Sequence, residues 1–124
     1  MPLILVAIGG AAGAVARYVI DGYVAERAAG AVPWGTLVVN LSGSLLLGLL
    51  FAFAVERDVL PAAVRAPLMI GFLGAYTTFS TLVLESWRLW EDGAAGLALA
   101  NAFGSVVLGL VAVVIGLTLG RAVA

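Results

Sequence analysis

The run Gly74-Ala75-Tyr76-Thr77-Thr78-Phe79-Ser80-Thr81 constrains this chain more than any other feature. It lies inside a stretch without charge from Ala66 to Leu84. Such a stretch is just long enough to cross a bilayer, for which about 20 apolar residues are needed. Its centre nevertheless carries four hydroxyls in five positions, preceded by a glycine. Lipid cannot satisfy a broken backbone, so a segment of this kind must face protein or a water-filled path. Interrupted spans are where transporters and channels hold ions.

The rest of the chain agrees with a membrane setting. Of its 124 residues, 64% are hydrophobic, with a mean hydropathy of +1.19; a soluble domain is about 45–50% apolar. The expected class is an all-α membrane protein with one four-span domain over residues 1–124. Cysteine is absent, which excludes disulfides and thiolate metal sites. Histidine is absent too, removing the commonest general base and metal ligand. No nucleophile–base pair stands out, so an enzyme is not expected. With a net charge of −1 and no basic patch, neither is a nucleic-acid partner. Ala14-Val15-Ala16 fits a cleavage site formally, but no positive charge precedes it, so an uncleaved first span is expected.

Hydropathy sets the spans at about residues 3–23, 34–55, 67–87 and 94–120. Pro33 and Pro67 suit pre-helix or first-turn positions. Trp34, Trp87, Trp90, Tyr18 and Tyr23 fall near span ends, as an aromatic belt does. With four spans, both termini and the second connection share one side. That side carries Arg57, Arg65 and Arg121; the other carries Arg27 and Arg88, plus Arg17 near the end of span one. Three against three gives the positive-inside rule nothing to read. Either another signal fixes one topology, or the chain inserts both ways. Four short helices also fill their own interior with side chains. The second reading therefore leads to an antiparallel, dual-topology homodimer with its two-fold axis in the membrane plane.

Asn40, Gly43, Ser44 and Gly48 in span two recur as Asn101, Gly104, Ser105 and Gly109 in span four, at identical spacings. Span one adds Gly9-x-x-x-Gly13. Small residues on one helix face let backbones approach closely. The asparagines differ, because an amide at mid-membrane needs partners or lines a polar path. Gly74 permits backbone geometries that other residues resist. If the helix unwinds near it, the freed carbonyls need water or a cation. A hard cation such as Na⁺ takes oxygen ligands, and two such breaks crossing in a symmetric dimer would supply four. The other reading is a kinked helix whose Thr77, Thr78, Ser80 and Thr81 hydroxyls back-bond to i−4 carbonyls. Phe79 is either core or a ring whose positive edge meets an anion weakly enough to release it. Arg17 can pair with Asp21 or raise anion concentration at a pore mouth. Glu85 can pair with Arg88 or touch a polar path. Glu56, Arg57, Asp58, Glu91 and Asp92 read as solvated loop charges.

These residues resemble a known family along the whole chain: the small bacterial fluoride channels called Fluc or CrcB proteins. The resemblance rests on Gly13 through Arg17-Tyr18, on Gly35-Thr36-Leu37-Val38-Val39-Asn40-Leu41, and on Gly71-Phe72-Leu73-Gly74-x-x-Thr77-Thr78-Phe79-Ser80-Thr81 with Glu85 beyond. It implies a dual-topology homodimer in the inner (plasma) membrane, with two antiparallel pores. These would export fluoride passively and selectively and protect the cell from its toxicity. It further implies a structural, non-permeating Na⁺ at the dimer centre, held by the Gly74 and Thr77 carbonyls at a central break in span three. Carried over, the pore asparagine is Asn40, the first pore phenylalanine is Phe79 and the span-four serine is Ser105. Thr78, Ser80, Thr81 and Glu85 join the fluoride path, and Arg17 the vestibule. Two positions depart from the pattern. A second phenylalanine is replaced by Leu82, which has no ring edge to offer, and a span-four tyrosine of some members is replaced by Asn101. The alternative class is a proton-coupled small multidrug-resistance-type exporter, which wants an embedded carboxylate in span one. Only Asp21, near that span's end, is available.

Overall fold

The computed structural model describes residues 2–123. They form six α-helical segments. Helix α1 (Pro2–Arg27) starts on a proline, whose missing N–H is no loss in a first turn. Gly30, at φ +98°, helps turn the chain back into α2 (Trp34–Phe51). This helix widens into a π-helical turn at Ala52–Glu56. After Asp58 (φ +54°) and Pro61 come α3 (Ala62–Arg65), a π-helical stretch Ala66–Phe72 and α4 (Leu73–Tyr76). Helix α5 (Phe79–Glu91) follows, then a turn through Gly93 (φ +84°), and α6 (Ala95–Ala122) closes the chain.

Four helical stretches are long and apolar enough to cross a membrane: Pro2–Arg27, Trp34–Glu56, Ala62–Glu91 and Ala95–Ala122. The protein is a multi-pass membrane protein. Each stretch runs past its apolar window, because polar end residues such as Glu26 and Glu91 stay helical where backbone partners remain. Pro67 departs from expectation. It does not open the third span; Pro61 does, as the residue before α3. Pro67 sits inside the helical run, where it lacks an N–H for the ladder and crowds the preceding turn. The backbone there is π-helical, a wider turn that accommodates it.

Glycines set the packing. A Cβ at Gly9 would overlap the Pro67 carbonyl, and one at Gly13 the Phe72 carbonyl, so α1 lies directly on the π-helical stretch. Helices α2 and α6 form the most extensive pair. There Gly48 meets the Val113 carbonyl and Gly116 the Leu45 carbonyl. Between these layers sits a small core of Val39, Leu73 and Tyr76, flanked by Ala16, Ile20, Leu50 and Phe72. The Phe72 and Tyr76 rings stack at 5.8 Å. Gly116→Val is expected to lower stability by about 1–3 kcal/mol through overpacking, whereas Gly96, with open space around it, should accept valine. Equal thermal midpoints for the two variants in detergent would contradict the α2–α6 packing.

One end of the bundle is tied by charges that the sequence reading left to solvent. Glu56 takes a bidentate pair from Arg121, with Nε to Oε1 at 2.9 Å. Arg57 donates to the Arg121 and Val123 carbonyls at the end of α6, and Asp58 pairs with Arg65. Sequence separation of about 65 residues hid most of these partners. The tie places the second connection and the end of α6 on one side of the bundle.

Candidate functional site

Between α4 and α5 the backbone leaves the helical region at two residues. Thr77 has φ −85° and ψ 157°, and Thr78 has φ −147° and ψ 113°. Gly74 itself remains helical, so the departure falls at the threonines and not at the glycine. A helix end leaves its last carbonyls without ladder donors, here four in a row from Gly74 to Thr77.

The donors that an unbroken helix would use are diverted. The Thr78 N–H, due to the Gly74 carbonyl, goes instead to Asn40 Oδ1 at 2.7 Å. The Thr81 N–H, due to the Thr77 carbonyl, goes to Thr78 Oγ1 at 3.2 Å, a side-chain cap for α5. Gly74 and Thr77 thus lose their ladder donors to side chains. The Ala75 carbonyl between them accepts from Arg17 Nε at 3.1 Å. Earlier in the turn, the Thr77 N–H and hydroxyl both donate to the Leu73 carbonyl.

Asn40 is occupied on both ends of its amide: Oδ1 by the Thr78 N–H, and Nδ2 by donation to the Thr78 carbonyl at 3.1 Å. It therefore clamps the extended residue, with one N–H left over. Gly43, one turn on, lies so close that a Cβ would overlap Thr77 Cγ2. Tyr76 donates its hydroxyl to Ser42 Oγ (2.9 Å), which itself donates to the Val38 carbonyl. Helix α2 thus grips the interruption at three points.

An open groove of about 390 Å³ runs along this face. It gathers Asn40, Gly74, Thr77, Thr78, Phe79 and Ser105, with Leu82 in its wall. Phe79 is 76% exposed, so its ring is not core. The Ser105 hydroxyl is buried and has no hydrogen-bond partner. Ser105 also lines a second cavity of about 130 Å³ with Asn101. Asn101 donates to Ser86 Oγ at 2.9 Å, and Ser86 donates to the Leu82 carbonyl.

Four of the expected residues lie off the groove lining. Ser80 and Thr81 cluster with the Thr78 hydroxyl, Thr81 at 2.9 Å. Glu85 has Thr36 and Asp21 as polar neighbours, and its Oε1 is buried without a hydrogen bond. Arg17 is engaged at Ala75. Neither Arg17–Asp21 nor Glu85–Arg88 forms an ion pair among the described residues. Asp21 packs against Gly35 in the first turn of α2, where the helix dipole favours a carboxylate. Thr36, only 2% exposed, was missed by sequence reasoning. Its spacing of four before Asn40, on the same helix face, is the signal that would have found it.

Fold and groove together define a class: a small four-span membrane protein with a mostly apolar groove, set with a few polar groups, beside an interrupted helical segment. The chain belongs to the family described as CrcB-like protein, Camphor Resistance (CrcB), which matches residues 4–117. It is 47% identical over 121 residues to the fluoride-specific ion channel FluC of Magnetococcus marinus, with 98% of each chain covered. It is 48% identical over 119 residues to the FluC of Hahella chejuensis, covering 96% of this chain and 94% of that one. Another FluC, from Citrifermentans bemidjiense, is 42% identical over 120 residues, with 97% of each covered. These relatives are named as ion channels, not enzymes. The resemblance carried by the span-three run is thereby confirmed.

Proposed function

We propose that this chain forms a fluoride-selective channel for passive export across the plasma membrane. It would work as an antiparallel homodimer with a sodium ion at its centre. The observation that carries the reading is the pair of carbonyls, Gly74 and Thr77, whose ladder donors have been taken by Asn40 and Thr78. Stranded carbonyls at membrane depth are costly unless something satisfies them. A hard cation prefers oxygen ligands, so this donor set fits Na⁺. Gly74 supports a partner copy: a Cβ there would meet only the Met69 carbonyl, at 3.9 Å, leaving the site open on the side where a second chain would come. Bound between two copies, sodium would supply a fixed charge that satisfies the carbonyls of both.

The groove residues suit a small anion. Ser105 offers an unpartnered hydroxyl, Asn40 one unused N–H, and Phe79 the positive edge of an exposed ring. None carries a full charge, so each binds weakly enough to release, as conduction requires. Leu82 supplies only an apolar wall at the position of the missing second ring. The exporter alternative gains no support, since Asp21 packs against Gly35 and not in the groove.

Proteoliposomes carrying the protein should release fluoride and retain chloride. Equal release of both would end the selectivity reading. Phe79→Ile should reduce fluoride flux about tenfold, the loss of one ring-edge interaction of roughly 1.4 kcal/mol, with the dimer still eluting intact. An unchanged rate would remove Phe79 from the path.

A further inference from the structure

The guanidinium of Arg17 does not pair with Asp21, the partner its sequence position suggests. Among the described residues no carboxylate lies in ion-pair range of it, and its Nε–H is spent on the Ala75 carbonyl, 58 residues along the chain. We propose that Arg17 is a positioning residue for the Gly74 and Thr77 carbonyls: it removes the Ala75 carbonyl, one of the two that lie between them, from the set that can face a cation and fixes the direction of Gly74 and Thr77. The inference rests on the sodium reading above.

Consecutive carbonyls at a helix end sit at different positions around the axis while pointing roughly along it, so pinning one constrains its neighbours. Left free, the Ala75 carbonyl would be an acceptor equal to the Gly74 carbonyl, and a small rotation of the turn would exchange them. Two clamps prevent that from different sides. Asn40, on α2, holds Thr78; Arg17, on α1, holds Ala75. Helix α1 is itself seated, because Gly13, one turn before Arg17, is pressed against the Phe72 carbonyl in the stretch leading into the interruption. The Arg17 contact is therefore made from a fixed base. Pre-organised ligands bind more tightly because less ordering remains to be done.

The charge on Arg17 acts in the opposite direction. A guanidinium near a bound cation repels it. A purely electrostatic role therefore predicts that neutralising Arg17 tightens sodium binding, and a pure vestibule role predicts no effect on it. Positioning predicts weaker binding. Lysine keeps the charge but lacks the rigid planar donor, so Arg17→Lys isolates the geometry.

The test is the thermal midpoint of the purified full-length protein in detergent, measured against sodium concentration. A bulky organic cation holds ionic strength constant. A ligand that binds only the folded state raises the midpoint with concentration. The half-saturating sodium concentration should rise about tenfold in Arg17→Leu, the worth of a charge-assisted hydrogen bond, and about threefold in Arg17→Lys. An unchanged or lower value in the variants, beside a sodium-dependent wild type, overturns the role of Arg17 alone. A wild type indifferent to sodium overturns the sodium reading and this inference together. Should Arg17→Leu fail to fold, Arg17→Lys decides.

Discussion

Asn40→Leu is expected to abolish fluoride efflux from proteoliposomes, a fall of at least about a hundredfold, while the protein still inserts as a helical bundle. The amide makes two hydrogen bonds to one residue, accepting from the Thr78 N–H and donating to the Thr78 carbonyl. Leucine has similar bulk and replaces neither. The Thr78 N–H would lose its partner at membrane depth, at about 1–3 kcal/mol, while the Thr78 carbonyl, as the N-cap of α5, keeps the first bond of that helix. The chain has a way to recover part of that cost: the Thr78 N–H can return to the Gly74 carbonyl, four residues earlier, and rebuild the helical ladder. That recovery consumes one of the two carbonyls proposed to hold sodium and swings Phe79 away from the groove. The variant thus separates bundle stability from function. Full fluoride flux in Asn40→Leu, measured with a fluoride electrode, would remove Asn40 from the account.

Sodium withdrawal should have an effect of the same order. Replacing Na⁺ by a large organic cation on both faces of the vesicle is expected to silence efflux, and returning Na⁺ to restore it. The reason lies in the donor set. Gly74 and Thr77 offer backbone oxygens without side-chain charge, and no cluster of three or more acidic or thiol ligands is available among the described residues. A site built only from neutral oxygens has no tight grip on a large cation that cannot enter. Efflux that survives rigorous sodium depletion would mean that the stranded carbonyls serve another purpose.

Much of this architecture is legible in the sequence, and the remainder fails for identifiable reasons. Long apolar stretches with few charges mark the four spans, and the hydroxyl run of Thr77 to Thr81 marks the place where the third stretch becomes polar. The position of the extended residues was less legible. Glycine suggested Gly74, but Gly74 stays helical and the backbone departs at Thr77 and Thr78. The cause is a partner 38 residues away, Asn40, which takes the Thr78 backbone groups out of the ladder. Local propensity cannot register such a contact. Pro67 misled in the same way: a proline usually opens a helix, yet here a π-helical stretch accommodates it, with its carbonyl against Gly9. Glu56, Arg57 and Asp58 look solvated in isolation because their partners Arg121, Val123 and Arg65 become neighbours only in the folded bundle. The two asparagines, alike in spacing, take different partners, Asn40 the Thr78 backbone and Asn101 the Ser86 hydroxyl.

The most direct measurement is an experimental density map of the purified assembly in sodium. The expected map shows two oppositely oriented copies with a cation between them, ringed by the Gly74 and Thr77 carbonyls of each. Copies running the same way, or a third span whose Thr78 and Thr81 N–H groups bond to the Gly74 and Thr77 carbonyls in a continuous helix, would contradict it.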